Sequence, residues 1–390
     1  MKNLNNFPAE ILLEIITRLP TESIIDSNIV CRSWRDLVSH HPSFYQMYLS
    51  HLNQSAESGK TSFLVKSKHQ EHQYFEYNDE TLAHSLRRFN FTLPFTSEYI
   101  LIGSINGLVC LYKADHTSII CNPLTRKYVI LPKFERGCGE SGDKYIHCST
   151  GFGYLPLTNQ YKVVLLYQSK REPSFIEAAV YTLGSGKGWR TIGEGWRTVG
   201  KLELAFSICY AEPGVYANVA LHWKENDGKG RVLVYDLTEE RFREHLSPPS
   251  VPPDGRRVTY FIGELGGVLY YSIYYFNGDI LLCDIWLLRE KNDIHDLKEK
   301  VEHEPLGWSG AFTLPGKEPL AVTKSCGVLC YDYSSLNIYD AAASTSKKLV
   351  DFGAAISQIF SHKNTLVSLK ELGEGDIRTM ESAEIEETDP

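Results

Sequence analysis

A weakly self-similar unit of short strands recurs along the chain and constrains the fold more than any other feature. Each copy has an apolar strand, a polar turn, a second strand that ends in a polar or acidic residue, and a further turn. The clearest copies occupy residues 103–132, 217–249, 263–290 and 324–353. Such a small sheet has bare faces that only a neighbouring sheet can cover, so a repeat of about 40 to 50 residues predicts a β-propeller. Residues 61–370 would then form about six blades, with five or seven left open.

The first 50 residues have a different, helical periodicity. Apolar residues recur at helical spacing from Ile11 to Leu19, which predicts a helix that Pro20 ends. A short turn follows, and then a third helix whose inward face includes Trp34. Three helices of about ten residues or fewer bury too little apolar surface to be stable alone. The sequence therefore predicts a small all-α segment, residues 1–50, that docks on another surface.

Most of the formal net charge of −8 lies at the carboxyl end. Residues 371–390 contain eight Asp or Glu residues and one Arg, a local charge of −7, so the rest of the chain is nearly neutral. Nucleic-acid binding needs Lys and Arg clustered on one face, and the sequence has no such cluster. We expect residues 371–390 to form an acidic, disordered tail, and residues 51–60 to connect the helices to the β domain.

We expect no secretory signal at the amino terminus. It lacks the apolar core and cleavage site of a signal peptide, and no run of about 18 apolar residues predicts a membrane span. Nine cysteines at irregular spacing fit a reducing compartment, where thiols behave as small buried hydrophobes. We expect the protein in the cytoplasm, the nucleus or both.

Three motifs approach known chemical sites but lack an essential part. Residues 195–201, GWRTVGK, fit the first seven positions of a phosphate-binding loop. Leu202 then stands where a hydroxyl would ligate Mg²⁺. His69 and His72 lack the spacing and the glutamate of a zinc protease. Cys326 and Cys330 fall in an apolar strand without further ligands. We expect no catalytic residue, no metal and no cofactor.

Two insertions interrupt the repeating pattern. Residues 290–302 have apolar positions at helical spacing and predict a short helix within a loop. Residues 188–201, GWRTIGEGWRTVGK, contain one seven-residue unit twice. This could be a local duplication that lengthens a turn or a strand end. Alternatively one copy projects toward a target, since Trp and Arg are effective contact residues; the candidate target-binding residues are then Trp189 with Arg190, or Trp196 with Arg197.

Residues 7–44, FPAEILLEIITRLPTESIIDSNIVCRSWRDLVSHHPSF, resemble an F-box. The usual pattern is Leu-Pro-x-Glu, Ile-Leu, a second Leu-Pro, Val-Cys-Lys/Arg-x-Trp and a closing Phe, and nearly all of it is present at the correct spacing. Two departures are Phe7, in place of the first Leu, and Asp26-Ser27-Asn28, where relatives often carry basic or apolar residues. The segments GSINGLVCLY, NPLTRKYVILP, GFGYLPLTNQYKVV, ALHW, VYDLTEERF and DIWLLRE, in this order, resemble the F-box-associated β-propeller of large plant F-box families.

The resemblance implies the substrate-recognition subunit of an SCF-type (cullin-RING) E3 ubiquitin ligase, itself non-catalytic. The F-box would dock on a Skp-family adaptor and, through it, on cullin and RING subunits, while the propeller would bind the protein to be ubiquitinated. The adaptor-binding positions that it implies are Pro8, Ile11, Leu12, Leu19, Pro20, Ile24, Val30, Cys31 and Trp34. Some of these side chains, with Ile15 and Trp34 the foremost candidates, could instead hold the helices together.

Two other functions stay open at this level. A scaffold, transcriptional or lectin-like binding module would use the F-box for something other than ubiquitination, and the Asp26-Ser27-Asn28 departure is the one hint of it. A propeller hydrolase would need the repeated pattern Ser-x-Asp-x-Gly-x-Thr-Trp, which does not occur in the sequence.

Overall fold

A computed structural model describes most of the chain from Phe7 to Met380. The described residues are 7–19, 23–24, 31–41, 43–44, 47–48, 50–51, 60–67, 72–78, 85–91, 99–113, 116–134, 145–169, 175–192, 196–197, 212–225, 229–250, 259–290, 306–323, 325, 327–340 and 343–380. The predicted helix over residues 290–302 lies outside them except for Glu290, which ends a strand.

The described strands form six antiparallel sheets, named here blades 1 to 6. Blade 1 contains β1 (Lys60–Ser67), β2 (His72–Asn78), β3 (Ser85–Phe91) and β25 (Ile356–Ser361). Blade 2 contains β4 (Ile100–Ile105), β5 (Leu108–Tyr112), β6 (Ser118–Asn122), β7 (Lys127–Ile130) and β26 (Arg378–Thr379). Blade 3 contains β8 (Tyr145–Leu155), β9 (Gln160–Ser169), β10 (Phe175–Thr182), β11 (Trp189–Thr191) and β12 (Trp196–Arg197).

The other three blades have four strands each. Blade 4 contains β13 (Val215–Ala217), β14 (Ala220–Lys224), β15 (Val232–Asp236) and β16 (Arg241–Phe242). Blade 5 contains β17 (Thr259–Leu265), β18 (Val268–Asn277), β19 (Ile280–Glu290) and β20 (Leu306–Leu314). Blade 6 contains β21 (Glu318–Val322), β22 (Gly327–Tyr331), β23 (Ser335–Asp340) and β24 (Thr345–Asp351). The prediction of a propeller with about six blades is confirmed.

The blades close into a ring through their innermost strands. These strands contact one another in the order β4, β8, β13, β17, β21 and β25, and β25 returns to β4. The innermost strand of blade 1 comes from the far end of the domain, because β25 pairs with β1 and Leu64 lies opposite Phe360. The two ends of the propeller are thus joined in one sheet.

The sequence repeat reflects a turn that recurs after the third strand in blades 2 and 4. In blade 2, the side-chain oxygen of Asn122 accepts a hydrogen bond from the Leu124 N–H at 3.0 Å. In blade 4, the carboxylate of Asp236 accepts one from the Thr238 N–H at 2.7 Å. Asn and Asp favour turns because they can satisfy these backbone donors. The middle strands β5, β6 and β15 are buried along their whole length because a blade packs on each face.

The amino-terminal segment contains the helices α1 (Ala9–Ile16) and α2 (Arg32–His40). Its core consists of the buried side chains of Leu12, Leu13, Ile16, Ile24, Trp34, Phe44 and Tyr48. The segment meets the propeller where the Tyr48 hydroxyl donates to the Asn364 carbonyl at 3.4 Å and Leu366 packs on the helical core. We call this side of the propeller the proximal face and the opposite side the distal face.

The prediction of a disordered tail is wrong for residues 371–380, which complete a carboxy-terminal strap (residues 362–380) across blades 2 and 3. The Glu374 carboxylate accepts a hydrogen bond from the Gly184 N–H at 2.8 Å. Strand β26 pairs with β7, and Met380 is only 2% exposed. Three apolar residues among the acidic ones make this packing possible, namely Leu372, Ile377 and Met380. Residues 381–390 lie outside the described residues.

Candidate functional site

Helix α1 presents an apolar stripe at the surface. Phe7, Ile11 and Ile15 are 43%, 46% and 37% exposed, and Pro8 beside them is also exposed. Residues four apart lie on the same side of a helix, so Ile11 and Ile15 share one face of α1, and Phe7 is exposed just before the helix begins. The other side of α1 is buried in the core of the segment. A row of large apolar side chains left at the surface is typical of a protein contact.

The adaptor-binding positions implied by the F-box resemblance divide between the surface and the core. Pro8 and Ile11 are exposed, Leu19 and Cys31 are half-buried, and Pro20 and Val30 lie outside the described residues. Leu12, Ile24 and Trp34 are buried in the core of the segment.

The sequence leaves open whether Ile15 and Trp34 bind the adaptor or hold the helices together. Trp34 takes that place, whereas Ile15 lies on the outer face with Ile11. The four-residue spacing from Ile11 places Ile15 on the same side of the helix, but spacing does not show which side is exposed.

The first copy of the duplicated unit packs between blades instead of projecting. The Trp189 indole N–H donates to the Pro132 carbonyl at 2.6 Å, and its ring lies 6.0 Å from that of Phe134 and 5.5 Å from that of Tyr181. Arg190 donates to the Glu240 carboxylate at 2.6 Å. Both side chains therefore connect blade 3 to its neighbours, which disagrees with the hypothesis that this pair projects toward a target.

The second copy continues the outer edge of the same blade. Residues 189–191 pair with 179–181 of β10, and Trp196 and Arg197 pair with Ile176 and Phe175. This backbone arrangement fits a local duplication that lengthens a strand end. The side chains of Trp196 and Arg197 lie outside the described residues, so their role in target binding stays a prediction.

The distal face carries exposed apolar side chains that the sequence analysis did not select. The inner strands run toward the proximal face, since Asn364 follows β25, and the hairpins that join second and third strands therefore open on the distal face. Phe276 and Ile280 at the β18–β19 hairpin are 59% and 62% exposed. Tyr333, after β22, and Phe261, near the start of β17, are 69% and 37% exposed.

A central channel of about 870 Å³ runs between the inner strands. At its distal mouth, Lys224 donates to the Glu212 carboxylate at 3.2 Å and to the Tyr260 carbonyl at 3.3 Å. The Lys224 ammonium also lies 4.6 Å from the centre of the Phe261 ring. The charge of Lys224 is therefore matched, and its position links the channel to the exposed aromatic residues of the distal face.

A carboxylate between blades 5 and 6 holds these blades together. Glu318 accepts hydrogen bonds from the hydroxyls of Tyr274 at 2.7 Å, Tyr270 at 3.1 Å and Ser272 at 3.3 Å. Burial raises the pKa of Glu318, while these hydroxyl donors oppose the shift. The Glu318 carboxylate has the hydrogen-bond donors that a buried carboxylate needs, so its role is structural.

The described part of the chain contains no group of three or more His, Cys, Asp or Glu side chains placed to hold a metal ion. None of the helices that the structure describes is long and apolar enough to cross a membrane.

Comparison with protein families agrees with this architecture. The family described as F-box associated beta propeller domain matches residues 51–299, and the family described as F-box-like matches residues 4–50. The chain belongs to the F-box-associated β-propeller family. The amino-terminal helical segment is accordingly its F-box, and the apolar stripe of α1 is a surface of that F-box.

Similar proteins occur in Arabidopsis thaliana. The F-box/kelch-repeat protein At3g23880 is 25% identical over 357 residues, which cover 87% of this chain and 88% of that protein. The F-box protein At5g65850 is 24% identical, with 85% and 80% coverage. Among solved structures, the WD40 domain of SCAP from fission yeast is similar at 9% identity and a TM-score of 0.31, over 78% of this chain and 88% of that one.

Proposed function

We propose that this protein is the substrate receptor of an SCF-type E3 ubiquitin ligase, in which the F-box binds a Skp-family adaptor. The exposed apolar stripe of α1 carries the proposal. Ile11 and Ile15 lie on the exposed face of α1, and Phe7 is exposed just before the helix begins. The other face of the helix is already buried in the F-box core. A partner that covers this stripe would remove from water the apolar area that the F-box itself leaves exposed.

The propeller is then the part that selects a target, and its distal face is the proposed surface. The F-box contacts the proximal face at Asn364 and Leu366, so the distal face points away from the ligase core. Large aromatic side chains at a surface are the residue types that dominate protein contacts. The receptor itself would contribute no catalytic group, with the cullin and RING subunits recruited through the adaptor in the cytoplasm or the nucleus.

Adaptor capture by co-expressed wild-type and variant chains tests the proposal. A triple variant with Phe7→Ala, Ile11→Ala and Ile15→Ala removes the part of each side chain that is still exposed. Burying those parts would contribute roughly 2 to 4 kcal/mol in total. We therefore expect adaptor binding to weaken by roughly 30- to 700-fold.

A matched control replaces exposed apolar residues on the other face. Phe276→Ala with Ile280→Ala should leave adaptor binding unchanged, and proximity labelling in cells should show that it loses proteins that the wild-type chain labels. Wild-type adaptor binding by the folded α1 variant would refute the docking surface. Adaptor binding without a cullin in the purified assembly would refute the ligase role while leaving the F-box contact intact.

A further inference from the structure

The proximal end of the central channel contains two opposite charges that do not pair with each other. Glu264 lies near the end of β17, just before the Gly266–Gly267 turn, and Lys363 follows β25. Both residues line the channel. Each lowers the cost of the other's charge, yet they do not form an ion pair.

The hydrogen-bonding capacity of the Glu264 carboxylate is only partly used. Its carboxylate accepts one hydrogen bond within the described residues, from the Gly267 N–H. Burial raises the pKa of Glu264, and the charge of Lys363 opposes this shift without cancelling it. The carboxylate therefore keeps acceptor capacity that faces the channel.

Lys363 is the more exceptional of the two. It is half-buried, and within the part of the chain that the structure describes it makes no hydrogen bond or ion pair. Burial lowers the pKa of Lys363, and the nearby Glu264 is the charge that opposes this. An ammonium group that is partly removed from water and has no hydrogen-bond acceptor is unfavourable for the free protein.

The other basic side chains among the described residues that line the channel are Lys224 and His362. Lys224 pairs with Glu212 at the distal mouth. His362 bonds to Ser104 at 2.7 Å, and burial lowers its pKa to about 4, so it is neutral at pH 7. Among the described residues that line the channel, Glu264 and Lys363 are thus the charged groups without an ion-pair partner.

The space beside these two groups suits a small molecule. The channel has about 870 Å³, within the range of small-ligand sites. We propose that the proximal end of the channel binds a small zwitterionic ligand, with its cationic group on Glu264 and its anionic group on Lys363. This site is separate from the adaptor contact and from the distal face.

A series of ω-amino acids tests the proposal on the full chain, because their two charges are held at increasing separations. The probes are β-alanine, γ-aminobutyrate and ε-aminocaproate, and the matched single-charge controls are caproate and hexylamine. Isothermal titration should show that at least one zwitterion binds about tenfold more tightly than either single-charge control, a difference of about 1.4 kcal/mol.

Variants locate the binding. Lys363→Gln and Glu264→Gln should each weaken binding of the zwitterion about tenfold. Lys347→Gln, on an exposed strand of blade 6, should leave the affinity for the zwitterion unchanged. Glutamine at position 264 keeps an acceptor for the Gly267 N–H, which favours a folded variant. Equal affinity of the zwitterions and the single-charge controls for the wild-type chain would overturn the proposal, and so would zwitterion binding that both folded variants retain.

Discussion

The carboxy-terminal strap should contribute measurably to the stability of the propeller, although its composition is that of a solvated tail. The decisive comparison is between a chain that ends at Lys370 and one that ends at Met380. The first loses the packed half of the strap, and the second loses only the acidic residues 381–390. A third variant, Met380→Ala, removes a single buried side chain from the full-length chain.

The contacts of the strap set the size of the effect. Met380 is 2% exposed and packs with Leu101 and Tyr128 of blade 2. Replacing a buried methionine by alanine costs roughly 2 to 5 kcal/mol. Ending the chain at Lys370 also removes the Glu374 hydrogen bond to Gly184 and the pairing of β26 with β7. Releasing ten residues recovers conformational entropy, which offsets part of that loss. We expect a net loss of about 3 kcal/mol or more in the free energy of unfolding.

Urea unfolding followed by tryptophan fluorescence gives these free energies, and a thermal melt provides an independent ranking. The chain that ends at Met380 should match the full-length protein within about 0.5 kcal/mol, as expected for a change away from packed residues. A chain ending at Lys370 that unfolds within about 1 kcal/mol of wild type would refute the reasoning. Equal destabilisation by both truncations would also refute it, because the effect would then come from the acidic residues beyond the strap.

Two further predictions concern side chains between blades. Trp189→Ala should lower the free energy of unfolding by roughly 2 to 4 kcal/mol, and Trp189→Phe should lower it less. Target labelling by the folded variants should not change. Urea unfolding measures the first effect and proximity labelling the second, and lost labelling at unchanged stability would contradict the packing role. Burial lowers the pKa of His362 to about 4, from an ordinary value of 6.5, so the unfolded chain takes up the proton first as the pH falls. The free energy of unfolding should therefore decrease between pH 6.5 and pH 4 by up to roughly 3 kcal/mol through this residue. Urea unfolding at several pH values should show a weaker pH dependence for His362→Gln. An unchanged pH dependence would contradict the burial argument.

Local patterns in the sequence were sufficient to predict the F-box and the propeller. A strand with alternating or continuous apolar residues and a turn with Asn122 or Asp236 at its start are both properties of a few neighbouring residues. The repeat therefore predicted the blades even though no two copies are closely alike. In α1, helical spacing also indicated one apolar face, but that face is wide enough to serve both the core and the surface, and spacing alone did not separate Leu12 from Ile15.

Contacts between distant parts of the chain were decided only by the tertiary structure. Composition averaged over residues 371–390 is acidic, and it concealed Leu372, Ile377 and Met380, whose partners lie in blades 2 and 3. The duplicated Trp-Arg pairs are nearly identical as sequence, and only the neighbouring Phe134 and Tyr181 show that Trp189 is packed. Glu264 and Lys363 likewise line one channel only because the ring closes. The sequence by itself determined which segments become helices and blades, because those preferences are local. The closed ring determined which side chains face one another, because burial and charge pairing depend on neighbours that are remote along the chain.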